Sequence, residues 1–124
     1  MRSDFNADNQ KIDAALAGGA KIATGTYTGT GEYGQSHPNI LTFDFAPKLV
    51  IVSSASRPGF SPITVPAIGL NGAAYTGRLG NTSSNGSYLI YWTFEGNSVS
   101  WFSETDEYGQ MNVSNQSFFY LAIG

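Results

Sequence analysis

The sequence contains no cysteine, and only 12% of its 124 residues are charged. Without cysteine there is no disulfide framework, no thiol nucleophile and no thiolate metal site, so the redox compartment stays undetermined. The six Lys and Arg are scattered and the net charge is −3, so nucleic acid is not an expected partner. No apolar run reaches membrane-spanning length and the first residues lack a signal peptide's apolar region. We therefore expect neither membrane insertion nor Sec export.

What the sequence does contain is typical of one β-rich domain: 14% aromatic residues and 15 glycines, with Ser, Thr and Asn supplying most of the polarity. From residue 20 onward the chain alternates short apolar runs with Gly, Asn and Pro turns, which predicts about eight strands. The expected fold is mainly β, an antiparallel β-sandwich over residues 20–124, preceded by one short helix within residues 1–19.

The predicted helix covers residues 3–17, with Ser3 or Asp4 at its N-cap and Gly18-Gly19 at its end. One side of this helix carries a stripe of residues at spacings of four, three and four: Phe5, Asn9, Ile12 and Leu16. A helix this short needs a surface to pack on. Either it lies on its own sandwich, or the stripe associates with copies of itself as a short coiled coil.

Several strands can be placed by pattern. Leu41, Phe43 and Phe45 alternate with polar residues, Ala46-Pro47 ends that strand, and residues 48–52 form a second strand, apolar on both faces and therefore central. We expect these two strands to pair as a hairpin. Further hairpins are predicted around Asn71-Gly72 and Gly96-Asn97. Residues 111–114 should form a short strand, and residues 118–123 the final one.

The residues that could support catalysis are few. His37 is the only histidine and no serine sits in a nucleophile elbow, so a catalytic triad is not expected. An acidic cluster of Glu104, Asp106 and Glu107 could bind Ca²⁺ or supply glycosidase carboxylates, but a solvated loop is the simpler interpretation. Gly-x-Gly-x-x-Gly at residues 29–34 is not followed by a helix, so these glycines are interpreted as packing and turn positions. We expect no enzyme activity, no cofactor and no metal.

The remaining chemistry is that of a shallow binding surface, in which aromatic rings stack on sugars and polar groups bind hydroxyls. Aromatic residues of a sandwich mostly belong to its core, so each position is a candidate only. The candidate ligand-binding residues are Tyr33, His37, Arg57, Tyr75, Arg78, Asn81, Asn85, Tyr91, Trp101 and Tyr108. Specificity is expected in the loops at residues 53–66, 72–87 and 104–110.

Three stretches resemble one known family. Residues 4–16, DFNADNQKIDAAL, resemble the helix found just before the distal domains of phage tail-fibre proteins. Residues 25–52, above all GTYTGTGEYG and LTFDFAPKLVIV, resemble the opening of the C-terminal receptor-binding domain of phage and prophage tail fibres. The hairpin YLIYWTFEGNSVSWFS and the last strand FFYLAIG resemble that domain's closing strands.

The resemblance implies a β-sandwich at the tip of a virion's tail fibre, made in the host cytoplasm and assembled as a homotrimer with the rest of the fibre. Such a domain recognises a host cell-surface glycan or teichoic acid and implies no catalysis. Phe5, Asn9, Ile12 and Leu16 would serve oligomerisation. Whole fibres are far longer, so the chain would be a distal fragment or an unusually small gene product. The alternatives are a purely structural trimerising cap, a small glycan hydrolase, and, for His37, an axial metal site shared by three copies.

Overall fold

Two antiparallel sheets make up the part of the chain that the structure, a computed structural model, describes: residues 21–54, 65–79 and 87–124, with the backbone alone for residues 78, 79 and 87. The predicted helix at residues 3–17, and with it the oligomerisation stripe, lies outside the described residues. Those ranges contain no helix, and so none long and apolar enough to cross a membrane. The strands are β1 (Ile22–Thr28), β2 (Asn39–Thr42), β3 (Leu49–Ser54), β4 (Ala67–Leu70), β5 (Tyr75–Leu79), β6 (Ser87–Glu95), β7 (Ser98–Phe102) and β8 (Ser117–Ile123).

The strands form two four-stranded sheets that share one core. Sheet I has the order β1-β8-β3-β4 and sheet II the order β2-β7-β6-β5. Val50, Val52 and Phe118 of sheet I belong to the same buried cluster as Ile90 and Trp101 of sheet II. The mainly β, sandwich-like architecture predicted from the sequence is therefore confirmed.

Three predicted elements are confirmed in detail. β3 lies between β8 and β4, as its apolar character on both faces requires. β6 and β7 form the hairpin predicted around Gly96-Asn97, with Glu95 paired to Ser98. β8 ends the chain as predicted and lies inside sheet I, between β1 and β3. β8 therefore pairs with both β1 and β3 and links them within sheet I.

The hairpin predicted between β2 and β3 is wrong, because these strands belong to different sheets. β2 ends at Thr42, and residues 43–48 cross from sheet II to sheet I. The alternation of Phe43 and Phe45 still reflects burial. Their rings stack 5.6 Å apart, and Phe43 meets Tyr120 of sheet I edge-on at 5.8 Å. This connection therefore keeps the alternation of buried and exposed residues that is typical of a strand, and it covers the end of the core.

The turn at Asn71-Gly72 is present, but the strands on either side do not pair as a hairpin. β4 pairs with β3 in sheet I and β5 with β6 in sheet II, so this turn also moves the chain between sheets. The short strand predicted at residues 111–114 is also wrong. Met111 has a φ of 59°, a left-handed conformation that a strand cannot accommodate.

Two glycines mark places where elements approach too closely for a side chain. A Cβ on Gly29 would collide with the Val113 carbonyl, and one on Gly69 would lie 2.5 Å from Cε3 of Trp92. Gly69 therefore lets sheet I approach the indole that sheet II presents. The prediction that the glycines after β1 are packing and turn positions is confirmed at Gly29 by this approach and at Gly34 by a φ of 97°.

The outer face of sheet I is apolar across all four strands. Pairing aligns one row of Ile22, Ile123, Leu49 and Leu70, and a second row of Thr24, Leu121, Ile51 and Ile68. A third row contains Thr26, Phe119 and Ser53. None of these residues is charged, and several are exposed, with Ile22 at 64% and Phe119 at 47%.

Candidate functional site

A cleft of about 230 Å³ opens where β1 ends and β2 begins, beneath the loop of residues 29–38. It combines an aromatic floor, an apolar wall and a polar rim, all from described residues. The cleft is lined by Tyr27, Thr28, Thr30, Glu32, His37, Pro38, Asn39, Ile40, Leu41, Trp101 and Asn112.

The loop above the cleft is fixed to the body of the protein by the buried amide of Gln110. Its Oε1 accepts hydrogen bonds from the backbone N–H groups of Gly34 (2.9 Å) and Ser103 (3.0 Å). Its Nε2 donates to the His37 carbonyl (2.8 Å) and to Oδ1 of Asn39 (3.1 Å). Gln110 is fully buried, and these four bonds satisfy its amide. One side chain thereby holds the second half of the loop to the body of the protein.

A second buried amide, Asn112, fixes the first half of the same loop. Its Oδ1 accepts from the backbone N–H of Thr30 (3.1 Å), and its Nδ2 donates to Oγ1 of Thr30 (2.8 Å) and to the Glu32 carbonyl (2.8 Å). Its own carbonyl accepts from the N–H of Gly31 at 2.8 Å. The left-handed backbone of Met111 lies between the two amides and turns them toward the loop.

Tyr27 and Trp101 form the floor of the cleft, with ring centroids 6.1 Å apart. The Tyr27 hydroxyl donates to the Met111 carbonyl at 2.7 Å and accepts from Nδ2 of Asn39 at 3.4 Å. Burial raises the pKa of Tyr27 well above its ordinary value, outweighing the Asn39 hydrogen bond, which lowers it. The phenol is therefore neutral at physiological pH and cannot act as a base there. Its hydroxyl acts as a fixed dipole.

The rim carries groups with unused hydrogen-bonding capacity. Nδ1 of His37 lies 3.4 Å from Oε2 of Glu32, and both side chains are more than half exposed. Oγ1 of Thr30 accepts from Asn112 and from the backbone N–H of Glu32 (3.3 Å), which leaves its hydrogen to donate outward. Pro38 supplies the apolar part of the wall, whereas the side chain of Ile40, 64% exposed and paired opposite Ser100, points to the outer face of sheet II.

The structure brings two of the predicted ligand-binding residues together at this cleft. His37 stands at its rim and Trp101 at its floor. Trp101 is only 1% exposed, and its indole N–H is already donated to the Gln110 carbonyl at 2.9 Å. It can therefore offer a ligand only a ring edge.

The other predicted positions lie elsewhere. Tyr33 and Tyr108 are exposed on separate loops, and Tyr75 is 58% exposed on the outer face of sheet II. The side chain of Arg78, and all of Arg57, Asn81 and Asn85, lie outside the described residues. Their roles stay predictions.

Tyr75 belongs to a row of rings on the outer face of sheet II. Its centroid lies 6.2 Å from that of Tyr91, which in turn stacks on Phe102 at 5.1 Å. Because Tyr91 and Phe102 stack on each other, their facing surfaces are covered, and this row offers less open ring area than three separate aromatics would. A second depression, of about 300 Å³, is lined by residues 71–74 and 92–94 and includes no ionisable side chain.

The acidic loop has a structural role at one position. Oδ1 of Asp106 accepts the backbone N–H of Gly109 at 2.8 Å, which closes the turn leading to Gln110. Within the described ranges, no group of three or more His, Asp or Glu side chains is placed to hold a metal ion. The shared axial metal at His37 needs symmetry copies and stays untested.

Sequence reasoning missed the two amides that build the cleft, Gln110 and Asn112, and the rim groups of Thr30 and Glu32. The signal for Glu32 was present, since it is the only charged residue between Lys21 and His37. The amides gave none, because their partners in the loop lie more than 70 positions away. Comparison with known proteins adds no identification: no family model, curated protein or solved structure matches the chain.

Proposed function

We propose that this chain is the distal host-recognition domain of a phage tail fibre. In this proposal it acts at the fibre tip of the virion as a homotrimer and binds a cell-surface glycan or glycosylated teichoic acid. It works as an adhesin, without catalysis and without a cofactor. The proposal joins the family resemblance of the sequence to the geometry of the cleft.

The observation that bears most weight is the fixed cleft with unused polar groups. A glycan-binding site needs donors and acceptors for hydroxyl groups beside an apolar surface for the sugar's C–H face. Thr30, Glu32 and His37 supply the first, and Pro38 and the ring of Tyr27 the second. Because Gln110 and Asn112 already hold the loop, little further ordering is needed when a ligand binds, which favours affinity.

The stretches that resemble tail fibres also build this region. The segment GTYTGTGEYG supplies the end of β1 and the first part of the loop, and LTFDFAPKLVIV contains the end of β2 and the crossing to β3. The proposed recognition site and the family resemblance therefore fall on the same part of the chain.

The proposed trimer is supported by the outer face of sheet I. Four strands about 4.8 Å apart and three rows about 7 Å apart give a largely apolar face of roughly 400 Å², with Thr24, Thr26 and Ser53 as its polar positions. The largest apolar patch on a monomer is commonly about 300–600 Å² and is often functional. Because this face has no charge, further copies of this chain can cover it without burying an unpaired ion. It is about half of the 800 Å² per partner of a standard interface, so the trimer also needs contacts such as the Phe5, Ile12 and Leu16 stripe would supply.

Cell binding tests the proposal directly. Fluorescently labelled protein is incubated with a panel of bacterial strains, with and without enzymatic or chemical removal of wall glycans, and its mass is measured by light scattering. Strain-selective binding by a trimer, lost after glycan removal, is the expected result. Binding that survives glycan removal would reject a glycan receptor, and a monomer would reject the assembly model.

The outer face of sheet I also favours a second candidate, a structural cap that terminates and trimerises the fibre. The discriminating result is a trimer that binds no cell in a broad panel. Ile51→Lys, at the centre of that face, should reduce the mass to that of a monomer while the β circular dichroism spectrum is retained. Thr93→Lys, on the exposed face of sheet II, is the matched control. If Ile51→Lys stays trimeric, sheet I does not form the interface.

A further inference from the structure

We infer that the cleft beneath residues 29–38 takes one uncharged pyranose ring with neighbouring hydroxyls, and that Glu32 is its principal hydrogen-bond acceptor. The inference rests on the proposed function for its biological setting and goes further in naming the ligand's chemistry. It assigns recognition to sugar units and excludes the phosphates of a teichoic acid backbone from this site.

The size of the cleft sets the first limit. A volume of about 230 Å³ is below the range of about 300–1,000 Å³ typical of sites for drug-sized ligands. One sugar ring is therefore the unit that can be enclosed, and any further units of a glycan would extend into solvent.

The available hydrogen-bonding groups set the second limit. The carboxylate of Glu32 accepts only, and among the described residues it lies 3.4 Å from Nδ1 of His37. Its remaining lone pairs can accept hydroxyl groups from two neighbouring ring carbons. The outward O–H of Thr30 can donate to a ring or hydroxyl oxygen. This pairing matches a sugar's hydroxyls, each of which both donates and accepts.

The apolar wall explains why a ring is preferred to an open polyol. Pro38 borders the cleft and the ring of Tyr27 forms part of its floor, and these apolar surfaces can contact the axial C–H groups of a sugar. Covering them contributes about 25 cal/mol per Å² of apolar area removed from water. A flexible polyol would lose more conformational freedom for the same contact.

Charge sets the third limit. No lysine or arginine is among the residues lining the cleft, whereas carboxylate and phosphate ligands are usually held by these side chains. Glu32 is the carboxylate among the lining residues. An anionic ligand would face this carboxylate with no lysine or arginine in the lining to offset it.

Nuclear magnetic resonance titration of the full chain tests the assignment. The probes are methyl α-D-glucopyranoside, methyl β-D-galactopyranoside and N-acetylglucosamine as neutral sugars, and ribitol 5-phosphate as the anion. At least one neutral sugar should shift the amide signals of Gly31, Glu32 and Asn39 saturably, with a dissociation constant on the order of millimolar for so small a contact. Stronger shifts with ribitol 5-phosphate, or no saturable shift with any sugar, would overturn the inference.

Glu32→Gln is the decisive variant, because the Glu32 carboxylate makes none of the hydrogen bonds by which Gln110 and Asn112 hold the loop. Loss of a charged acceptor should weaken sugar binding about tenfold or more. Glu95→Gln, an exposed carboxylate at the β6–β7 turn, is the matched control and should bind as the parent does. Equal binding by Glu32→Gln would refute the role of Glu32.

The same variants separate this inference from the proposed function. If the parent protein and Glu32→Gln adsorb equally to the same strains, the protein is an adhesin but this cleft is not its site. If methyl glycosides saturate the cleft while the parent binds no strain, the sugar site stands and the tail-fibre role fails.

Discussion

Tyr27 should make the protein's stability fall at alkaline pH in a way that one substitution removes. Its hydroxyl donates to the Met111 carbonyl inside the protein, and burial raises the pKa of the phenol well above its ordinary value near 10. In the unfolded chain the same phenol ionises near pH 10. The stability that depends on the neutral phenol is thus complete below about pH 10 and is lost as the pH rises toward the native pKa.

The magnitude follows from two terms. Tyr27→Phe removes the hydrogen bond to the Met111 carbonyl and the longer one accepted from Asn39, and leaves that carbonyl without this donor, so it should cost about 1–3 kcal/mol near pH 8. Above pH 10 the unfolded parent releases a proton that the native state retains, which lowers its stability by about 1.4 kcal/mol per pH unit. Tyr27→Phe lacks this loss. The stability gap between parent and variant should therefore shrink by about 1.4 kcal/mol between pH 8 and pH 11.

Urea unfolding followed by tryptophan fluorescence measures both proteins at each pH. Parent and variant share every other ionisable group, so the effects of those groups cancel in the difference. Phenolate absorbance of the native proteins supplies a second readout, because Tyr27 should add nothing to it at pH 11. A stability gap that does not change with pH, or one additional ionised phenol in the native parent, would refute the argument that Tyr27 is held neutral.

Two further substitutions test the contacts that shape the fold and the cleft. Gln110→Leu removes an amide with four hydrogen bonds and should destabilise the protein by about 3–5 kcal/mol. Hydrogen exchange at the Gly34 amide should become faster. Unchanged exchange there would contradict the role of Gln110 in anchoring the loop. Gly69→Ala should cost about 1–3 kcal/mol because its Cβ would lie 2.5 Å from an indole carbon of Trp92. Gly77→Ala is the control, because the atom nearest to its added Cβ would be 4.0 Å away. Equal unfolding midpoints for the two alanine variants would show that the sheets can separate at no cost.

Local pattern was sufficient where pairing is local. The β6–β7 hairpin follows from alternating residues on both sides of Gly96-Asn97, and the central place of β3 follows from a run that is apolar on both faces. The failed hairpins share one cause. The turn at Asn71-Gly72 and the segment at residues 43–48 both look like tight connections, yet each moves the chain to the other sheet. Periodicity indicates which side chains are buried, but it cannot indicate to which sheet their strand belongs.

The candidate site was only partly visible in the sequence for a related reason. His37 and Trp101 were identified from residue type, and both line the cleft. What makes the cleft is a set of hydrogen bonds between residues 76 to 82 positions apart, from Gln110 to Gly34 and from Asn112 to Thr30. Nothing in the neighbourhood of either amide marks it as buried. Contacts of that range depend on the completed fold.

The two buried amides explain how a glycine-rich segment can serve as a rigid recognition loop. Residues 29–38 include three glycines and few apolar side chains, so burial alone could not hold them in one conformation. Gln110 and Asn112 hold the loop by hydrogen bonds in place of apolar contacts. Met111, which lies between them, has a strained left-handed backbone conformation that persists only because the surrounding structure fixes it. Both amides are fully satisfied within the protein, so they contribute position and not ligand contact. The groups left to meet a ligand are those of Thr30, Glu32 and His37, which makes the loop's rigidity and its chemistry separable by mutation.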